Sequence, residues 1–73
     1  MPDLEFKLSG EYLELFKLLK AAGFCESGGA AKHAIAEGQV CVNGVPETRK
    51  AFKVRAGHRV EFEGQAIQVS HTK

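Results

Sequence analysis

The sequence predicts an α+β fold in which a two-helix hairpin packs against a small, mainly antiparallel sheet. Three observations carry that expectation. Apolar and polar residues alternate near both ends of the chain, at Leu4-Glu5-Phe6-Lys7-Leu8 and again at Val60-Glu61-Phe62 and Ala66-Ile67-Gln68-Val69, which is the period of half-buried strands. Between them lie two helix-forming stretches, each opened by a Ser and closed by a Gly, residues that cap and stop helices. Asn43-Gly44 follows the short run Val40-Cys41-Val42 and is a strong hairpin signal, because both residues tolerate positive φ.

In chain order, the first strand turns Leu4, Phe6 and Leu8 inward. The first helix is expected to use Ser9 as its N-cap, with Glu11 and Glu14 at the positive end of the helix dipole, Lys17 and Lys20 at the negative end, and Gly23 as its stop. Tyr12, Leu15, Leu18, Leu19 and Ala22 line one face of it. Leu13 falls on the far side with Lys17 and Lys20, a position that suits either packing beneath the first strand or a partner surface. Ser27 caps the second helix, whose residues 30 to 37 have strong helix propensity until Gly38 ends it. Its apolar stripe of Ala31, Ala34 and Ile35 is narrow, allowing close approach to the first helix; His33 and Glu37 point away and Lys32 borders the contact. A hairpin through Asn43-Gly44 follows. A second, turning near Glu63-Gly64-Gln65, sets Val60, Phe62, Ile67 and Val69 facing one way. No repeat, linker or low-complexity tract divides the chain, so residues 1–73 are expected to form one domain.

Composition narrows the function classes. A chain of 73 residues buries only about 60% of the surface its unfolded form exposes, so the core is small. Apolar residues at 44% and charged residues at 26% are those of a soluble globular chain rather than a disordered one. No apolar stretch approaches the roughly 20 residues needed to cross a bilayer, and Met1-Pro2-Asp3-Leu4-Glu5 lacks the basic and apolar regions of a secretory signal, which together predict a cytoplasmic protein without membrane contact. Cys25 and Cys41 have no second Cys or paired His at metal-ligand spacing, so they are expected to be reduced, mostly buried small hydrophobes. His33, His58 and His71 are scattered, none beside a Ser or Cys as a nucleophile's base. The expectation is therefore a protein that is not an enzyme and carries no metal or cofactor. A sulfur-carrier or ubiquitin-like role needs a terminal Gly-Gly, and this sequence ends Ser70-His71-Thr72-Lys73.

Net charge is +1, yet residues 49 to 59 contain Arg49, Lys50, Lys53, Arg55 and Arg59 with no acid among them. Such a local excess suggests a surface that meets phosphates. In an extended segment, Arg49, Lys53 and Arg55 would share one side and Phe52 and Val54 the other, each second residue advancing about 6.6 Å. That row could neutralise several phosphates at once; the plainer account is a solvated face, although the acid-free run is longer than random mixing usually gives. Ser27-Gly28-Gly29 at a helix start, with Lys32 one turn in, offers free backbone N–H groups to an anion, while a tight helix crossing explains the glycines equally well. Asn43-Gly44 could touch a sugar or base edge, or simply serve the turn. Phe52 and Phe62 are expected in the core, leaving Tyr12 or Phe24 to stack. This favours duplexes, junctions and loops of folded RNA over a single-strand platform.

Gly23-x-x-x-Ser27, the helix with Ala31, Ile35 and Gly38, then Gly38-Gln39-Val40-Cys41-Val42-Asn43-Gly44 and Ala56-Gly57-His58-Arg59-Val60 resemble the alpha-L RNA-binding domain of ribosomal protein S4 type. Ser27-Gly28-Gly29-Ala30-Ala31-Lys32, Ala34-Ile35-Ala36-Glu37-Gly38-Gln39-Val40 and Glu47-Thr48-Arg49-Lys50 resemble in particular its stand-alone bacterial YbcJ-like branch. The resemblance spans nearly the whole chain. It implies an alpha-L motif that binds structured RNA, ribosomal RNA or an assembling ribosomal particle; the chain itself is expected to be a monomer. Two departures stand out. Gly28 occupies the place where the wider family commonly has an Arg, and Tyr12-Leu13-Glu14 replaces the family's charged opening of the first helix. Both put the usual contacts in question and leave two readings open, a weaker affinity or a footprint moved toward residues 49 to 59. A second function class remains open, an adaptor that docks a ribosomal protein or RNA-processing enzyme through Leu13, Lys17 and Lys20.

Overall fold

The computed structural model describes residues 4–71; Met1-Pro2-Asp3 and Thr72-Lys73, on which the signal-sequence and chain-end readings rest, lie outside the described residues. The elements run β1 (Leu4–Leu8), β2 (Leu13–Glu14), α1 (Leu15–Ala21), α2 (Gly28–Ala36), β3 (Val40–Val42), β4 (Val45–Pro46), β5 (Lys53–Val54), β6 (Arg59–Phe62) and β7 (Gln65–His71). One sheet has the order β1-β7-β6-β3-β4. Its pairs are antiparallel apart from β1 and β7, which run parallel with Leu4 opposite Ile67 and Leu8 opposite His71. β2 and β5 form a separate two-stranded ribbon. The α+β class and the helical hairpin on a mainly antiparallel sheet are as the sequence predicts.

Local signals place most of these elements. Asn43 (φ 53°) and Gly44 (φ 83°) make the β3–β4 turn, and Glu63 (φ 52°) with Gly64 (φ 78°) makes the β6–β7 turn, both with the paired positive φ of a type I′ hairpin. The second turn is thus two residues long, and Gln65 already belongs to β7. Ser27 Oγ accepts a hydrogen bond from the Ala30 N–H at 3.1 Å and caps α2. Each helix ends in a left-handed Gly with a paired bond pattern: Gly23 N–H to Lys20 O and Phe24 N–H to Leu19 O close α1, while Gly38 N–H to Ile35 O and Gln39 N–H to Ala34 O close α2. These bonds satisfy carbonyls that a helix end otherwise leaves open.

The start of the first helix departs from expectation. Ser9 does not cap it, Glu11 lies in the preceding loop, and α1 begins only at Leu15. Glu14 holds the N-cap position with no side-chain cap bond. The orphan donors of the first turn are met instead by a distant loop, Leu15 N–H donating to Phe52 O at 2.9 Å and Phe16 N–H to Lys50 O at 3.2 Å. Burial explains why the extended form wins over helix propensity here: Leu13 pairs with Val54, and both turn toward the core. Leu13 is accordingly a core-packed strand residue and shares no face with Lys17 and Lys20, so the adaptor surface loses its apolar member. Tyr12, expected on the buried helix face, is 43% exposed.

A single core joins the layers. Leu15, Leu18 and Leu19 of α1, Ala31 and Ile35 of α2, Val40, Val60 and Ile67 of the sheet, and Val54 of β5 are all fully buried. Only part of the inward row expected on β1 is covered, Leu8 being buried, Phe6 packed against the core and Leu4 exposed at the sheet's edge. Phe62 is buried and stacks on Phe24 at 6.4 Å between ring centres. Cys25 and Cys41 are free thiols and half-buried rather than mostly buried. Desolvation, helped by the Glu63 carboxylate, pushes the Cys25 thiol above its ordinary value, which keeps it protonated and a poor nucleophile at neutral pH. No helix among the described residues is long and apolar enough to cross a membrane.

Candidate nucleic-acid interface

The basic segment is bent where the sequence predicts a straight row. Phe52 N–H bonds back to Arg49 O at 3.1 Å, so the chain turns at Lys50 and Ala51 and only Lys53–Val54 is strand. The physical reason is the capping of α1, since presenting the Lys50 and Phe52 carbonyls to two helix N–H groups requires the loop to fold over the helix end. Arg49 therefore does not share a strand face with Lys53 and Arg55. Its guanidinium lies over the Phe52 ring at 5.3 Å.

Pairing divides the cations further. Arg49 grips Glu47 through Nε at 2.8 Å and Nη2 at 3.3 Å, and its backbone N–H adds a third bond at 3.1 Å. Those hydrogen bonds hold the Glu47 carboxyl below its ordinary value and raise Arg49 in turn. Arg59 pairs with Glu61 two residues along β6. It borders a different concavity, together with Cys41, Glu61 and Ala66, and so leaves the group. Asn43 follows it there: Asn43 Oδ1 accepts the Arg59 N–H at 2.8 Å and its own N–H donates to Arg59 O at 2.7 Å, work that ties the Asn43-Gly44 turn to β6. Lys32, Lys50, Lys53 and Arg55 make no ion pair among the described residues.

A groove collects what remains. Lys32 and Ala36 of α2 form one wall, and Thr48, Arg49, Lys50, Ala51, Phe52 and Lys53 the other. Phe16 adjoins its Lys32 wall: the Lys32 ammonium sits 4.7 Å from the centre of that ring, and a Cβ built on Gly28 would stand 3.8 Å from it. The start of α2 thus opens onto the same flank as the basic loop. Cβ atoms at Gly28 and Gly29 would make only ordinary contacts, and neither residue has positive φ, so a tight helix crossing does not account for the glycine pair. Beyond Lys53, the Arg55 N–H donates to His58 Nδ1 at 3.0 Å and the His58 N–H to Arg55 O at 3.2 Å, while the His58 ring packs 5.7 Å from Phe52. The sequence names Tyr12 as a possible stacking ring but places it on the buried helix face rather than beside Lys53, and it gives no role to Phe16 beside Lys32. Alternation of Tyr12 and Glu14 about Leu13 was the available signal for Tyr12; Phe16 offered none.

This arrangement of a helical hairpin, a short ribbon and a basic loop over the first helix is the alpha-L architecture, and the S4 domain family pattern matches residues 6–70. The chain belongs to the S4 domain family. Among its relatives is YbcJ of Escherichia coli (strain K12), put forward by its name as an RNA-binding protein, 55% identical over 58 residues that cover 80% of this chain and 83% of YbcJ. Another is RlbA of Bacillus subtilis (strain 168), whose name proposes ribosome maturation, 41% identical over 54 residues, or 74% of this chain and 76% of RlbA. A solution structure of E. coli YbcJ, described as revealing an alpha-L motif involved in RNA binding, superposes with a TM-score of 0.73 at 48% identity, covering 96% of this chain and 90% of that one.

Proposed function

We propose that this chain is a single, monomeric RNA-binding domain of the cytoplasm that recognises structured RNA, in ribosomal RNA or an assembling ribosomal particle. The observation that carries the reading is the groove: Lys32, Arg49, Lys50 and Lys53 line it, Arg55 continues it, and among the described residues Arg49 alone of these is tied to a carboxylate. Cations without a carboxylate partner keep their attraction for phosphate and release counterions when they bind. Backbone N–H groups at Ser27, Gly28 and Gly29 add a dipole of the right sign beside Lys32. A groove of this kind reads the shape of a folded backbone, phosphates and 2′-hydroxyls, more than base order. Asn43, Gly44 and Arg59 lie apart from it, Arg59 on a different concavity. The relatives' names in RNA binding and ribosome maturation support the same reading.

Salt titration of binding to a structured ribosomal RNA fragment tests it. About four phosphate contacts give a log-log slope of about −3. Replacing Lys50, Lys53 and Arg55 together by Ala is expected to flatten the slope and weaken binding at least tenfold while leaving the urea midpoint close to that of the parent. Unchanged affinity in this exposed triple variant would remove the site from the basic loop.

A further inference from the structure

We infer that the Tyr12 ring, with Lys53 and Arg55, forms a subsite for one unpaired nucleobase of the bound RNA, the ring stacking on the base and the two cations holding the phosphates on either side. The inference rests on the RNA-binding reading above and adds to it a contact that tells a bulged or looped nucleotide from continuous duplex.

Strand alternation builds the subsite. In the β2–β5 ribbon, Leu13 stands opposite Val54 and Glu14 opposite Lys53. Leu13 and Val54 face the core, so their neighbours Tyr12, Glu14, Lys53 and Arg55 emerge on the outer face. Lys53 Nζ lies 5.0 Å and the Arg55 guanidinium carbon 5.9 Å from the centre of the Tyr12 ring. Glu14, the acid on that face, is engaged by Lys17 at 3.0 Å and leaves Lys53 without a carboxylate partner among the described residues. Phe6, Phe16, Phe24 and Phe52 pack against the core and Phe62 is part of it, whereas Tyr12 belongs to none of that packing and is 43% exposed.

An exposed ring clustered with two cations has the chemistry of a nucleotide. The base offers a π-face to the ring, and its flanking phosphates offer charge to the cations. Lys53 and Arg55, two residues apart on an extended chain, are separated by about 6.6 Å, comparable with the step between successive phosphates. One ring serves one base, so this is a point of recognition rather than a platform for a strand. A paired base is already stacked on its neighbours and must be pulled out at a cost; a bulged nucleotide presents its face without that cost.

Tyr12 is the only tyrosine of a chain that has no tryptophan, so tyrosine emission reports on this ring alone. The full chain would be titrated with a short RNA hairpin carrying a single bulged adenosine, and with the same hairpin lacking the bulge. Emission and the anisotropy of a dye on the RNA are followed together. The expected result is quenching by the bulged hairpin and little by the paired one, with the bulged RNA bound about 5- to 100-fold more tightly. Tyr12→Ala brings the bulged hairpin down to the affinity of the paired one, and Tyr12→Phe keeps the preference. Binding of both hairpins with unchanged emission, or a preference that survives in Tyr12→Ala, overturns the subsite and leaves the groove standing. No anisotropy change with either RNA at low salt defeats the RNA-binding reading and this subsite with it.

Discussion

At the scale of single residues, the Glu47–Arg49 pair governs how much of the basic loop is available. Three hydrogen bonds from the exposed Arg49 converge on the mostly covered Glu47 carboxylate, so a phosphate fork of the loop is occupied by the protein itself. Glu47→Gln is expected to release it, tightening RNA binding severalfold and steepening the salt slope by about one, as read by titration of the same RNA fragment. The pair's pH dependence has a definite sign. Its folded carboxyl is held below the ordinary value, so its contribution to folding is complete above about pH 4.3 and is lost as pH falls through the lower folded value. Binding between pH 5 and 8 should therefore carry no step from this pair. Glu63 is a second residue-scale case. It sits at φ 52° in a two-residue turn where Asn is better tolerated, and Glu63→Asn is expected to stabilise the fold by about 0.5–1 kcal/mol, measured as a higher urea midpoint.

Elements differ in how far they can be read from the chain. The two helix C-termini and both hairpins are set by residues adjacent in sequence, Gly23, Gly38, Asn43-Gly44 and Glu63-Gly64, and were legible for that reason. Ser27 belongs with them; Ser27→Ala removes the bond to the Ala30 N–H and is expected to cost about 1 kcal/mol in urea denaturation. The β2–β5 ribbon was not legible. Each strand is two residues long, too short for periodicity, and its existence depends on Leu13 meeting Val54 far along the chain. The same long-range contact moved the start of α1 to Leu15 and bent the basic segment into a cap. For the candidate site, the cations were legible as a group but their partners less so. Spacing by two on extended chain puts Glu47 beside Arg49 and Glu61 beside Arg59, a pairing signal that stands in the sequence at either edge of the acid-free run.

For the whole molecule, one small core supports everything on the surface. Val54 is fully buried beneath Lys53 and Arg55, and Ile67 lies fully buried between β6 and β1. Ile67→Ala is expected to cost about 2–5 kcal/mol, a large part of the 5–15 kcal/mol typical of a domain, and to appear as a sharp fall in urea midpoint. Parallel pairing of β1 with β7 has a further consequence for biosynthesis. Among the described residues β1 has no sheet neighbour other than β7, so a nascent chain leaves residues 4–8 unpaired until residue 71 has been made. Folding is then a single late event rather than a stepwise one, and a fragment ending before residue 65 is expected to be a substrate for proteases instead of a smaller version of the domain.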